Sequence, residues 1–198
     1  MTEAGQTADV SRARAVLGTV VFLLAAPGVV AGLVPWLLTG WDASRPLPGW
    51  GLARVVGFVL VAAGVAVLLQ AFARFVVEGA GTPAPIAPTE HLVVGGFYRY
   101  VRNPMYLAVG AIIVGQAFVL GRLVLGVYAA LYGTAVWAFV RLYEEPTLER
   151  RFGAEYDAYR RAVPAWWPRP TPWRADRPEN SNRSEAPSCR KRQSDSSS

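Results

Sequence analysis

Charge along the chain divides it into long apolar runs separated by short polar stretches. Residues 15–41, 55–73, 103–121 and 123–140 contain no Asp, Glu, Lys or Arg. A helix rises about 1.5 Å per residue, so each run can cross a hydrocarbon core about 30 Å thick. The pattern predicts an all-α protein, an integral membrane bundle of about four transmembrane helices. Pro27 and Pro35 lie inside the first run and predict a kink near its outer end, with the freed carbonyls repaired by neighbouring helices. Only Gly121 and Arg122 separate the last two runs, which forces a tight antiparallel hairpin. Small residues four apart, Ala111 and Gly115 on one arm and Gly126/Ala130 and Ala129/Gly133 on the other, predict close approach of those two helices.

Asn103 followed by Pro104 reads as an N-cap and first helical residue, so the third span starts there. After residue 140 the helix runs on through Arg141, Glu144 and Glu145, and Pro146 marks a bend or a new first turn. Beyond it Leu148, Phe152, Tyr156, Tyr159 and Val163 recur at helical spacing, opposite Arg150, Arg151, Glu155, Asp157 and Arg160. This predicts a C-terminal interfacial amphipathic helix, broken at Gly153, with Trp166 and Trp167 as interface anchors. The expected organisation is a flexible N-terminus at 1–11 and two transmembrane helices within 12–77. A core with the hairpin and interfacial helix follows at 78–174, with a disordered Ser- and Arg-rich tail at 175–198.

Composition agrees with a bilayer as solvent: 53% of the 198 residues are apolar and 17% charged, where soluble domains carry about a quarter charged. Arg12 and Arg14 precede the first run, but that run is about twice the length of a signal-peptide core and lacks a cleavage site, so it is expected to remain as an anchor. Arginines set the orientation. Arg12, Arg14, Arg74, Arg99, Arg102, Arg141, Arg150, Arg151, Arg160 and Arg161 fall on one side, against Arg45, Arg54 and Arg122 on the other. The expectation is a multi-pass protein of the cell membrane with both termini cytoplasmic. The same bias and contact with anionic membrane lipids explain the net charge of +6, so no nucleic acid partner is expected. Cys189 is the sole cysteine, which excludes an intramolecular disulfide or a cysteine metal site.

The candidate chemistry lies at two polar clusters that the hairpin brings to one face: residues 95–106, and Arg141 with Glu144 and Glu145. Glu144 and Glu145 are either headgroup-level acids paired with Arg99, Arg102 or Arg141, or ligands for the ribose or amino group of a cofactor. The Asn103–Tyr106 stretch is either a capped helix start or a cradle using backbone N–H groups, the Asn103 amide and the Tyr106 ring. Arg141 either anchors the helix to phosphates or holds a substrate carboxylate. His91 is the only histidine and lacks partners for a metal site, so no metal is expected. Gln70, Gln116 and Thr134 read as interhelical hydrogen-bonding groups. Phosphate loops, a Ser-His-Asp set and a dinucleotide fingerprint are missing from the sequence.

His91-Leu92-Val93, Gly96-Phe97-Tyr98, Arg102-Asn103-Pro104-Met105-Tyr106, Glu144-Glu145, Phe152-Gly153-Ala154-Glu155-Tyr156 and Val163-Pro164, in this order, resemble the isoprenylcysteine carboxyl methyltransferase family and the related phospholipid methyltransferases. The resemblance covers about residues 88–170. It implies an integral-membrane enzyme that transfers a methyl group from S-adenosylmethionine to a lipophilic small-molecule or lipidated substrate. It also implies that His91, Leu92, Val93, Tyr98, Asn103, Pro104, Met105, Tyr106 and Glu144 line the cofactor pocket, and that Arg141 faces the substrate. Asn103 stands where the family usually has histidine. An amide still donates and accepts hydrogen bonds, but a role that needs an ionisable imidazole is lost. A carboxylate acceptor is ionised at neutral pH and asks for no general base, which favours O-methylation. An amine acceptor would need Glu144, Glu145 or a water to take its proton. The rivals are N-methylation of an aminophospholipid, and a non-enzymatic membrane protein that recruits partners through its basic face.

Overall fold

Prolines at the helix starts (Pro35, Pro104 and Pro146) and glycines with positive φ at the helix ends (Gly40, Gly121 and Gly153) set the boundaries of the helices. The computed structural model describes residue 21 and residues 25–44, 49–77, 92 and 94–174, the side chains of 75–77 excepted. The segments expected to be loose at 1–11 and 175–198 lie outside the described residues, as do residues 78–91 and 93. Helix α1 (Val34–Thr39) follows a π-helical turn (Val29–Leu33) and stops at Gly40, φ 59°. Helix α2 spans Gly51–Val77. A 3-10 turn (Gly96–Arg99) leads into α3 (Pro104–Leu120), which ends at Gly121, φ 64°. Helix α4 (Leu123–Phe139) continues through a second π turn (Val140–Glu144) into α5 (Glu145–Phe152), and α6 (Ala154–Ala162) follows the break at Gly153, φ 50°. Among the described residues there is no strand.

The two π turns have one cause. Pro35 and Pro146 each lack an N–H, and each ring crowds the carbonyl four residues earlier. The backbone widens just before them: Val34 N–H bonds the Val29 carbonyl and Glu145 N–H the Val140 carbonyl, steps of five residues. Near Pro35 the loosened carbonyls are taken up by other helices, as the sequence predicts. Gln116 Nε2 donates to the Ala31 carbonyl at 2.6 Å and the Tyr128 hydroxyl to the Val30 carbonyl at 2.9 Å.

Gly51–Arg74, of 24 residues, and the continuous helix Leu123–Phe152, of 30, are long and apolar enough to cross a membrane. Val29–Thr39 and Pro104–Leu120 are apolar but shorter, so among the described residues two of the four expected crossings meet that length. The large apolar side chains Leu52, Phe58, Leu123, Val127 and Leu131 point outward, an arrangement that suits apolar surroundings.

The closest helix seam is not the predicted one. Helices α2 and α3 meet glycine on glycine: a methyl built on Gly57 would lie 2.7 Å from the Gly115 carbonyl oxygen, and one on Gly64 would lie 2.8 Å from that of Ala108. Gly115 therefore serves α2, whereas the sequence assigned it to the hairpin partner. Leu68, Phe72, Ala108, Ile112 and Ile113 fill the core around this seam. The hairpin turn itself is tight, with Gly121 N–H on the Ala117 carbonyl at 2.9 Å. Ser44 Oγ donates to the Gly121 carbonyl at 2.7 Å and Trp50 Nε1 to that of Phe118 at 2.8 Å, closing this end.

The C-terminal amphipathic pair also departs from expectation. The break falls at Gly153 as predicted, but the apolar face is turned inward. Tyr156, Tyr159 and Val163 are buried against Leu92, Val94, Leu148, Phe152 and Trp173. The expected interfacial face is thus covered by the chain's own segment before α3. Burial raises both tyrosine hydroxyls from the ordinary range, in each case against the lowering effect of Arg102. Tyr159 donates its proton to the Tyr98 carbonyl at 2.7 Å, while the Tyr156 hydroxyl accepts from Arg102.

Candidate functional site

The 3-10 turn brings the first polar cluster onto the end of α2. Gly96 has φ +57°, and a Cβ there would lie 3.1 Å from Gln70 Nε2 and 3.2 Å from Arg74 Nε, so the position needs glycine for both conformation and space. Gln70, expected to bond between helices within the membrane, packs under this turn. Tyr98 is half-buried, and its carbonyl is held by Tyr159. The following residues run alongside the chain beyond α6: Arg102 N–H donates to the Pro164 carbonyl at 2.9 Å and Asn103 Nδ2 to that of Ala165 at 3.2 Å. Asn103 occupies the N-cap position without a side-chain capping bond. The amide expected to hold a ligand or cap α3 instead holds Ala165. Pro104 is buried at the start of α3, and Met105 packs against the seam with α2. Leu92 belongs to the Tyr156/Tyr159 cluster, and His91 and Val93 lie outside the described residues.

Tyr106 and Glu144 meet. The Tyr106 hydroxyl donates to Glu144 Oε2 at 3.0 Å. The π turn before Pro146 carries Glu144, and the next residue, Glu145, is held quite differently. It is 4% exposed; Arg102 donates to its Oε1 at 2.9 Å and Arg141 to its Oε2 at 2.9 Å, with Arg160 at 3.8 Å. The same Arg102 nitrogen also donates to the Tyr156 hydroxyl at 2.9 Å. A carboxylate this deep is stable as an ion only when paired in this way. The sequence proposed Arg102 and Arg141 as partners. Arg160, from α6, was not singled out, because nothing local relates it to a residue fifteen positions earlier.

Behind the Tyr106–Glu144 pair the hairpin gapes. A cavity of about 410 Å³ lies chiefly between α3 and α4, with Tyr106, Gly110, Ala111, Tyr132, Gly133 and Trp166 in its wall. Small residues make the room: a methyl built on Gly133 would meet nothing within 4 Å, and one on Gly110 only the Tyr132 ring, at 3.6 Å. Predicted as points of close approach, Ala111, Ala129 and Gly133 line a void instead. The Tyr132 hydroxyl donates to the Tyr106 carbonyl at 3.2 Å and steadies the residue that joins cavity and acid. Trp166, expected as an interface anchor, is part of the cavity wall, while Trp167 is exposed. Neither Tyr132 nor Trp166 was singled out for this site. A phenol beside Gly133 in an apolar run was the available signal for Tyr132.

A family model described as phospholipid methyltransferase matches residues 52–155, just over half of the chain. The chain belongs to the phospholipid methyltransferase family. This family includes isoprenylcysteine carboxyl methyltransferase-like proteins, and the resemblance read from residues 88–170 holds. The matched stretch reaches back through α2 and stops before Trp166. No curated protein and no solved structure matches the chain. Family membership implies methyl transfer at a membrane, and the non-enzymatic reading gives way to it. A phospholipid methyltransferase family member needs a place for a positively charged methyl donor and another for an apolar acceptor. Among the described residues the Glu144 carboxylate is bonded only by Tyr106, and a partly buried acid beside an aromatic ring suits a cationic ligand.

Proposed function

We propose that this protein is an S-adenosylmethionine-dependent methyltransferase that modifies the polar end of a lipophilic acceptor, with a carboxylate as the methylated group. The observation that carries the reading is Tyr106, whose ring lines the apolar cavity while its hydroxyl donates to Glu144. An acceptor chain in the cavity would end at the one place where a charged cofactor finds an acid. S-adenosylmethionine, when bound, supplies an electrophilic methyl carbon on a cationic sulfur.

The protein's part is alignment in a water-poor space. Glu144 faces the cofactor's amino group or ribose hydroxyls, which S-adenosylhomocysteine shares, Tyr106 fixes the Glu144 side chain, and Tyr98, with Leu92, completes the cofactor side. Arg141 is half-exposed and gives one nitrogen to Glu145, which leaves guanidinium donors for an acceptor carboxylate. That acceptor is already ionised, so no base is required. Glu145 belongs to the scaffold in this reading, because both of its oxygens are engaged by arginines. Its acceptance of a proton from substrate would break those pairs. The arginine bias supports a multi-pass arrangement with both termini on the cytoplasmic side and the site at that face.

A second reading, N-methylation of an aminophospholipid, is favoured by the description of the matching family. Purified protein in nanodiscs, given labelled S-adenosylmethionine and either a prenylated cysteine or phosphatidylethanolamine, separates the two. Titration calorimetry with S-adenosylhomocysteine tests the common core. A hydrogen bond to a charged group contributes about 1.5–3 kcal/mol, so Tyr106→Phe is expected to weaken binding roughly ten-fold or more, and Glu144→Ala at least as much. Absence of binding to the unaltered protein would overturn both readings.

A further inference from the structure

Two adjacent tryptophans, Trp166 and Trp167, take opposite environments, and the peptide unit that decides between them is held by Asn103. Helix α6 ends at Val163, which is fully buried. The chain then runs beside the start of α3 and is tied to it at successive residues, Pro164 by the Arg102 N–H and Ala165 by the Asn103 side chain. Further on, Arg169 N–H bonds the Tyr100 carbonyl at 2.9 Å and Trp173 N–H the Arg99 carbonyl at 3.0 Å. The Ala165 carbonyl belongs to the same planar peptide as the Trp166 nitrogen. Fixing that carbonyl therefore fixes the plane from which the Trp166 side chain departs, toward the cavity, while Trp167 is left 81% exposed.

Asn103 is 7% exposed, and its side chain makes no capping bond at the head of α3, although asparagine is among the preferred caps. Its donor group is directed across to the strap instead. We propose that Asn103 is a positioning residue for Trp166: by holding the Ala165 carbonyl it keeps the indole in the cavity wall, and Trp166 thereby sets how tightly the acceptor chain is gripped. This rests on the reading of the cavity as the acceptor-chain site. An apolar cavity of about 150 Å³ takes benzene, so one of 410 Å³ takes a chain of roughly sixteen carbons, and a side chain as large as tryptophan in its wall matters to the fit.

The test uses full-length protein in nanodiscs. A bromine-labelled single-chain lipid is titrated in, and quenching of Trp166 is taken as the difference between the protein and its Trp166→Phe variant. This readout needs no cofactor. Acceptor KM and kcat, and S-adenosylhomocysteine affinity, are measured alongside. Asn103→Ala is expected to abolish most of the saturable Trp166 quenching and to raise acceptor KM about five-fold, with kcat and S-adenosylhomocysteine affinity within about two-fold. Asn103→Asp, which offers no donor to a carbonyl, should behave like Asn103→Ala. Asn103→His, which retains an N–H, should restore quenching and KM.

Trp166→Ala leaves the strap's hydrogen bonds intact and should give the same rise in KM, with no further rise in the double variant. If Asn103→Ala weakens S-adenosylhomocysteine binding while quenching and KM stand still, Asn103 is a cofactor ligand and the proposal fails. It fails equally if all three measurements stand still. Failure of the methyltransferase reading would appear separately, as unaltered protein that neither binds S-adenosylhomocysteine nor transfers label while Trp166 still responds to the lipid.

Discussion

On its α2 side, helix α3 packs so closely that a methyl on Gly57 or Gly115 would strike a backbone carbonyl at 2.7 Å, whereas on its α4 side a methyl on Gly133 would meet nothing within 4 Å. Both sides are rich in small residues, yet one uses them to close a seam and the other to leave a cavity. What differs is the register of facing surfaces. Gly57, Gly64 and Gly115 stand opposite backbone, so the helices interlock. Across the hairpin, Tyr132 rests over Gly110 and props the two arms apart. The tight side fixes where Tyr106 stands, and the loose side leaves the cavity beside it in which the proposed acceptor chain would lie.

The comparison can be broken most forcefully at the clamp that limits the gape. Arg102, at the head of α3, and Glu145, at the start of α5 where it continues α4, hold the open hairpin together at the end away from its turn. Glu145→Ala leaves a nearly buried guanidinium without its carboxylate and is expected to cost about 3–5 kcal/mol in unfolding free energy, read as a fall in detergent melting temperature. A cost below about 1 kcal/mol, typical of surface pairs, would show that the clamp is dispensable.

Next in size is Gly115→Leu, which overpacks the tight seam and should destabilise by about 1–3 kcal/mol in the same assay. Gly133→Leu is its counterpart on the loose side. It should leave melting close to unaltered and greatly reduce saturable quenching by the bromine-labelled lipid, because the side chain fills empty space. The smallest expected effect is on alkaline stability. Burial holds the Tyr159 hydroxyl above its ordinary value of 10.0, so its contribution is fully present below pH 10 and declines as pH rises and the unfolded chain ionises first. Melting followed from pH 8 to 11 should show this decline, and Tyr159→Phe should flatten it.

Much of this layout was legible in the sequence because it rests on local rules. Asn103-Pro104 marked the start of α3, Gly121 its end and Gly153 the break before α6. The short hairpin turn was enough to bring Tyr106 and Glu144 to one end. The sense of the small-residue patterns was not legible: Gly115 and Gly133 have the same local signature, and only the neighbour opposite decides whether a glycine closes a gap or leaves one. Long-range partners were equally hidden. Nothing near Asn103 points to Ala165, 62 residues away, and nothing near Glu145 selects Arg160. The pattern of 148–163 was read as an interfacial amphipathic helix, and the pattern does not say whether lipid or protein covers its apolar face.

The π turn ahead of Pro35 has a consequence for assembly. Its Ala31 and Val30 carbonyls are bonded by side chains 85 and 98 residues further along the chain. During synthesis that turn emerges well before Gln116 and Tyr128 exist, and a bilayer offers its carbonyls no substitute donors. The first part of the bundle therefore cannot reach its final hydrogen-bonded state until the hairpin has been made and docked, which ties maturation of the Pro35 turn to completion of the hairpin that forms the candidate site.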